Sequence, residues 1–436
     1  MSCNTIFRDL ITKYSTWDEL QSYIESEEGG LFRVVDKNTN GANGANGLCL
    51  IRYQKGVSKM DLPHSKWFRS VVWNTTLNRP VSVAPPKVST VNFPFQSLDD
   101  LIANDICCQE QLDGFMINCC RIVGDNTLYI TSRSKLDAAG HFYSPKSFRR
   151  LFMESYLKTT LDENLESFIQ NETGMDAPDP SKREVAVFYS FLVQHTAHHV
   201  VTPISENKVY VVHKGITYED GQIEIDDMNA SCKNQSLIPN IVLLPFLDTV
   251  ADTVADTVVD IQQCIANFLK QRLWGFQGIV FKDNVGNRWR FRNDKYSIVK
   301  SLRGNSSTTV ERFAQLYTQN LTYQYLQYYP DDNFPFSCHM IFMSMIVDTL
   351  YNYYVGLYIT KLTNISTVSH LYIPHLYRIH TVYLNTLRPI RKKVNNAIII
   401  NYFHSQPWQR IAFLIKKSQD AYFVQMGHGE IGLQSV

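Results

Sequence analysis

The sequence lacks an excess of either charge. Its 42 Lys and Arg face 41 Asp and Glu over 436 residues, a formal net of +1. That balance excludes a strongly basic chromatin-type binder and leaves room for a local basic groove. It also lacks zinc-type cysteine spacing. The nine cysteines are odd in number and include the adjacent pairs Cys107–Cys108 and Cys119–Cys120. Neighbouring cysteines make poor disulfide partners, so reduced thiols and a cytosolic fold are expected. No apolar core marks the charged stretch Met1 to Tyr14, so no signal peptide and no secretion are expected. The most apolar stretch, Phe334 to Thr360, is broken by Asp348 and studded with Ser, Asn and Tyr; this predicts a buried helix and no membrane partner. What remains is an ordinary globular composition, 44% hydrophobic and 19% charged, with 24 Tyr and 24 Phe. The chain is long enough for two or three domains.

Apolar spacing predicts a helix over Thr5 to Glu27, closed by Gly29-Gly30. Strand-like runs follow at Leu31 to Val35 and Leu48 to Gln54, around a Gly/Asn/Ala repeat (Asn38 to Gly47) that reads as a flexible hairpin tip. Short β segments recur to about Thr131, with a helical patch at Leu98 to Asn104. A helix is predicted over Ser147 to Gln170, then strands at Val185 to Gln194 and Lys208 to His213. Leu247 to Asp260 repeats Thr-Val-Ala-Asp at period four and predicts an amphipathic helix running on to Leu273. Gly278 to Phe291 reads as β. Beyond Asn305 the pattern turns helical, at Val310 to Leu326, Phe336 to Leu362, Leu371 to Leu387 and Val394 to Phe403. Glycine and serines near Gly304 to Thr308 mark a domain boundary.

Four segments, in order, carry a resemblance. They are Arg69-Ser-Val-Val-Trp-Asn74 with Val81-Ser-Val-Ala-Pro-Pro-Lys87; Glu110-Gln-Leu-Asp-Gly-Phe115 with Ile130-Thr-Ser-Arg133; Phe191-Leu-Val-Gln-His-Thr-Ala-His-His-Val-Val201; and Gln277-Gly-Ile-Val280 with Arg290-Phe-Arg292 and Tyr296. Together they resemble the phage-type RNA ligases, a family of covalent nucleotidyltransferases, over roughly residues 30 to 304. The helical tail resembles the appended domains of large-DNA-virus members. The resemblance implies an α+β nucleotidyltransferase fold (ATP-grasp-like) of antiparallel sheets with flanking helices over 1–304, plus a C-terminal all-α domain over 305–436.

The departures from the family pattern carry the functional expectation. Where the resemblance implies a lysine nucleophile stands Gln111, whose amide nitrogen is conjugated to its carbonyl and has no free lone pair. The family glutamates align with Leu192 and Gln277, neither of which carries the charge that would hold a hard metal ion. The two phosphate-binding lysines align with Arg290 and Arg292, which keep the charge in a different geometry. No catalytic residue and no metal site are therefore expected, and no cofactor is required, with residual ATP or other nucleotide binding left open. Lys135, just past Ser132-Arg133, is the lysine best placed to rescue catalysis.

Residues Lys282 to Arg303 hold seven basic residues against two acids. Arg288, Arg290 and Arg292 alternate with Trp289 and Phe291, which on a strand puts guanidiniums on one face and aromatics on the other. That is ordinarily a solvated face; the resemblance places it along the nucleotide cleft. With Arg69, Arg133 and Lys282 these arginines form the expected phosphate-binding set, suited to RNA or single-stranded DNA. His195, His198 and His199, the pair His375 and His380, and the stripe Tyr351, Tyr353, Tyr354, Tyr358 read as structural. Arg388-Pro-Ile-Arg-Lys-Lys393 reads as an exposed interhelical loop. The leading expectation is a pseudo-ligase acting as a nucleotide or nucleic-acid binder, or as a structural viral component in a virion or host cytoplasm beside other viral proteins. The alternatives are an active ATP-dependent RNA ligase with a relocated lysine, and a purely structural interaction protein.

Overall fold

The computed structural model describes residues 3–38, 47–89, 93–125, 127–160, 183–226, 260–283, 286–306 and 308–425. The chain is α+β, with antiparallel sheets and twelve α-helices among the described residues. It divides into two compact units, Met1–Ser297 and Ile298–Val436. The division falls inside a helix, α6 (Asp294–Arg303), where the sequence pattern had placed it at the following glycine.

Three antiparallel sheets build the first unit. One is a meander, β1 (Arg33–Asn38), β2 (Leu48–Arg52), β3 (Val71–Asn74) and β4 (Arg79–Val83). Helices α1 (Cys3–Lys13) and α2 (Trp17–Glu25) cover it, burying Phe7, Leu20 and Ile24 against Phe68 and Trp73. The single helix expected over Thr5 to Glu27 is two, because Thr16 starts a second with a capping box to Glu19. The predicted hairpin tip falls on residues 39–46, outside the described residues.

The second sheet uses β6 (Phe115–Ile122), β7 (Leu128–Ser132), β8 (Glu184–Gln194), β9 (Lys208–Tyr218) and β10 (Ile223–Asp226), ordered β10-β9-β8-β6-β7. Helix α4 (Phe148–Thr160) packs Phe152 and Tyr156 on it. The third sheet is β12 (Arg288–Arg292), β11 (Gly278–Lys282) and β5 (Cys107–Glu110). Its back is closed by α3 (Leu98–Ala103) and α5 (Ile261–Gln271), through Leu101, Ile261 and Ile265. The first part of the helix expected over Leu247 to Leu273 lies outside the described residues; α5 itself starts at Ile261, where Asp260 has extended backbone and accepts from the Gln262 N–H. Residues 161–182 and 227–259, where other helical expectations fall, lie outside the described residues.

The described residues of the second unit form helices α7 (Thr309–Thr318), α8 (Thr322–Tyr328), α9 (Asn333–Tyr354), α10 (Ile373–Val382), α11 (Asn396–His404) and α12 (Trp408–Gln425). The predicted Val310–Leu326 helix breaks at Asn320, which is left-handed. Helix α12 has no counterpart in the sequence reading. Its buried Ile411, Leu414 and Ile415 give the 3–4 spacing that marks it. Residues Pro330–Ile359 are long and apolar enough to cross a membrane by length and composition. The buried helix expected there is half-buried: Met343, Ile346 and Leu350 face the core while Phe334, Ile341 and Met345 are exposed.

Candidate functional site

The ladder of the third sheet fixes the arginine row. Arg292 lies opposite Gly278, Arg290 opposite Val280 and Arg288 opposite Lys282, so Lys282 shares their face. On the other side of β11, Val280 opposes Gln109 and Lys282 opposes Cys107. Alternation sends Trp289 and Phe291 to the opposite face, where they pack with Phe93, Phe95 and Phe281. Glu110, at the end of β5, opposes Ile279 and so belongs to that far face.

One rung further, the Gln111 N–H donates to the Gly278 carbonyl at 2.9 Å, which sets Gln111 beside Gly278 and Gln277 at the end of β11. Gly278 has φ +150°, and a Cβ there would sit 2.2 Å from the Phe291 carbonyl oxygen. Asp113 does not simply close a tight Asp-Gly turn. Its buried carboxylate accepts from the Val201 and Thr202 N–H groups (2.7 and 2.9 Å) and from the Tyr296 hydroxyl at 3.2 Å, tying three segments together. Gly114 lies against β8, where a Cβ would meet the Val193 carbonyl oxygen at 2.5 Å and Leu192 Cδ1 at 3.3 Å. Gln111, Gln277 and Arg292 thus share the end of the third sheet, while Leu192 backs the turn that follows Gln111.

A strap joins the first sheet to this row. After β4 the chain runs extended through Pro85-Pro86, and the Lys87 N–H donates to the Lys66 carbonyl at 2.8 Å. Ser89 then pairs along β12: its N–H donates to the Arg288 carbonyl at 2.8 Å and its carbonyl accepts from the Arg290 N–H at 2.9 Å. Tyr53, just past β2, becomes the centre of a cationic cluster. The Arg133 guanidinium, on the turn after β7, lies 5.5 Å from its ring centroid and donates to its hydroxyl at 3.2 Å. Lys87 Nζ lies 5.3 Å from the same centroid. Sequence reasoning missed Tyr53 and Lys87 as site members. Lys87 ended a motif already singled out, whereas nothing in the local pattern marks Tyr53.

Arg69 sits deep in this cluster, densely surrounded yet partly open to solvent. Burial brings it down to about 10; Tyr53 opposes this as the next largest influence, and the like charges of Arg288, Arg133 and Arg290 add smaller downward pushes. Arg290 is lowered by burial first and then by Arg292. None of Arg69, Lys87, Arg133, Arg290 or Arg292 pairs with a carboxylate among the described residues. Arginine side chains beside or on three sheets therefore meet in one place, with no carboxylate paired to them among the described residues.

Near the lysines is a cavity of about 330 Å³ bounded by Met60, Lys66, Lys87, Arg288 and Trp289. At the other end, Gln111 Oε1, Arg290 Nε and Arg292 Nε are buried without hydrogen-bond partners, and Gln277 is 8% exposed. Lys135 is exposed on the turn after β7, on a different sheet from Gln111.

Two polar groupings elsewhere are structural. His195 Nε2 lies 2.8 Å from Glu154 Oε2, and its Nδ1 accepts from the Ala197 N–H, so α4 brings a carboxylate to a histidine that has none nearby in sequence. Ser190 donates to Asn118 Oδ1 at 2.6 Å and lies 3.1 Å from His213 Nε2, which also faces the Val83 carbonyl at 2.8 Å. All three side chains are fully buried, and that nitrogen is best used as a donor to Val83, so it does not serve Ser190 as a base. Among the described residues no three His, Cys, Asp or Glu side chains gather as a metal site.

No family model and no curated protein matches this sequence. Among solved structures the chain is remotely similar to an archaeal ATP-dependent RNA ligase, form 1, with 10% identity and a TM-score of 0.32, over 98% of this chain and 84% of that one. A likeness at that level carries no argument about what this cleft does.

Proposed function

We propose that this chain is a nucleotidyltransferase-like protein that holds phosphate groups of a nucleotide or nucleic acid without transferring a nucleotidyl group. The observation that carries this reading is the cluster of Arg69, Lys87, Arg133 and Arg290 around Tyr53, none of them paired with a carboxylate among the described residues. Like charges held together in a partly desolvated cleft repel one another, and an anion relieves both the repulsion and the lost hydration. The open Lys87–Arg288 end supplies room for such a ligand. The ligase-like motifs support the nucleotidyl context, and Gln111 supports the loss of transfer, because an amide cannot form the covalent adduct.

Two measurements test it. Incubation with labelled ATP and magnesium or manganese is expected to leave no adduct that survives denaturation; a labelled peptide containing Lys135 would instead establish a relocated nucleophile. Single-stranded RNA is expected to bind with affinity falling steeply with salt, and Arg290→Ala with Arg292→Ala to weaken it alike for all sequences. Absence of binding at low salt would sink the reading.

A second reading, a purely structural packing block, is favoured by the Gln111 end, where Gln111 Oε1, Arg290 Nε and Arg292 Nε are buried. Under it the arginine pair is needed for folding. The double alanine variant would then melt far below the parent, and no RNA would bind either protein.

A further inference from the structure

The charge of this chain is distributed very unevenly. Residues 349–419 contain nine Lys and Arg and no Asp or Glu, within a protein of net charge +1. This stretch covers the end of α9 and all of α10 and α11, together with the first two-thirds of α12. Helices of soluble proteins ordinarily mix both signs on their exposed faces. Seventy residues without an acid leave their cations to be balanced from elsewhere.

Among the described residues, carboxylates pair with only two of these nine cations, Lys416 and Lys417. Glu311 pairs with Lys416, Asp332 with Arg312, and Asp420 with Lys417, while Asp348 accepts from the Asn396 amide. Two arginines are left in a constrained arrangement. Arg378 on α10 donates to Gln406 Oε1 at 3.2 Å, and Arg410 on α12 donates to the same oxygen at 2.8 Å. Their donating nitrogens are therefore no more than about 6 Å apart. Gln406 is oriented for this: its amide nitrogen donates to the Tyr402 carbonyl and to Ser405 Oγ, leaving the oxygen to the arginines. A neutral amide oxygen offers each guanidinium a hydrogen bond and cancels none of its charge. Both arginines push the neighbouring His375 further down, after burial.

We propose that Arg378, Gln406 and Arg410 form a second anion site, distinct from the cleft of the first unit, which takes a backbone phosphate of single-stranded RNA. The two forks are separated by a span that the oxygens of one phosphate bridge, and guanidinium geometry suits that contact. Arg378 is exposed and Arg410 half-buried, so a ligand reaches both. A polyanion suits the surroundings better than an isolated small anion. The exposed loop Arg388, Arg391, Lys392, Lys393 continues the same acid-free segment. Tyr377, next to Arg378 in sequence, is 56% exposed and offers a ring on which a base can stack.

The test uses the full chain and a labelled single-stranded RNA, with anisotropy read over a salt series. Arg378→Ala with Arg410→Ala is expected to raise Kd about five- to tenfold at low salt and to lower the salt slope by about one. Combining it with Arg290→Ala and Arg292→Ala should lose more than either pair alone. Failure of the cleft reading shows separately, as a cleft pair without effect beside a helical pair that retains one. Arg378→Lys with Arg410→Lys keeps the charge and loses the fork, and is expected to fall between. Because alanine variants can lose structure, RNA carrying a photoreactive uridine is also cross-linked to the unaltered protein. Cross-linked peptides from residues 371–410 are expected, and cross-links confined to the cleft would overturn the proposal. An unchanged Kd and slope in the folded alanine variant would also overturn it, as would a loss seen only with phosphatidylserine vesicles.

Discussion

An amide nitrogen at position 111 shares its lone pair with its own carbonyl, and the burial of Gln111 Oε1 puts that amide where water does not substitute for a ligand. Restoring a lysine is expected to be insufficient. In Gln111→Lys the amine meets a desolvated end of the cleft, but Leu192 and Gln277 offer no carboxylate to hold the divalent ion that balances the triphosphate. Incubated with labelled ATP and manganese, this variant should show no label above the unaltered chain; a strong labelled band would mean the machinery survives. The proximity of Gln111 to Gln277 was legible because their motifs keep order and turn character. Tyr53 was not, since its importance comes from Arg133 and Lys87 reaching it from other parts of the chain.

Strand β12 shows what an element adds to its residues. Alternation of Arg and aromatic residues already separates two faces, and the ladder confirms that separation while adding Lys282 to the arginine side. The turn between β5 and β6 adds a packing demand that no motif states. Gly114 lies so close to the Val193 carbonyl that Gly114→Ala must move backbone, with a cost of about 1–3 kcal/mol expected from overpacking. The denaturation midpoint measures it, and an unchanged midpoint would show that β6 and β8 separate easily at this point. Helices with strong caps or clear 3–4 spacing were legible to within a few residues. The break at Asn320 and the split at Thr16 were missed because capping, rather than periodicity, decides them.

At the scale of the whole chain, near-neutral charge conceals the acid-free stretch of the second unit, and that unit also carries an acid sensitivity. His339 and His375 are both brought down to about 4, mainly by burial. Between the ordinary histidine value of about 6.5 and 4, the unfolded chain binds protons that the folded one refuses, so stability rises with pH and falls on acidification across that window. The urea midpoint of the full chain, followed by a probe in the helical unit, should therefore drop from pH 6.5 to 4. Replacing both histidines with glutamine should flatten the drop, and an equal slope in that variant would assign it to other groups. Glu154 acts in a lower window: Lys146, Arg150 and His195 hold it near 2, so its contribution is present above about 4.5 and is lost only below that.

By itself the sequence determined the α+β composition, the apolar faces of the strands, the face of β12 that carries arginine, and the presence of an amide rather than an amine at 111. Each of these follows from local periodicity or from the identity of one side chain. Tertiary structure alone decided that the cations converge on Tyr53, because Pro85-Pro86 and Ser89 bring the first sheet alongside β12, and sheet pairing is non-local. It also decided that a cavity lies near Lys87 while Gln111 Oε1 is buried, since side-chain packing sets free volume. The meeting of Arg378 and Arg410 over Gln406 is of the same kind. These arginines lie far apart along the chain, and only the packing of α10 beside the start of α12 places two like charges on one oxygen.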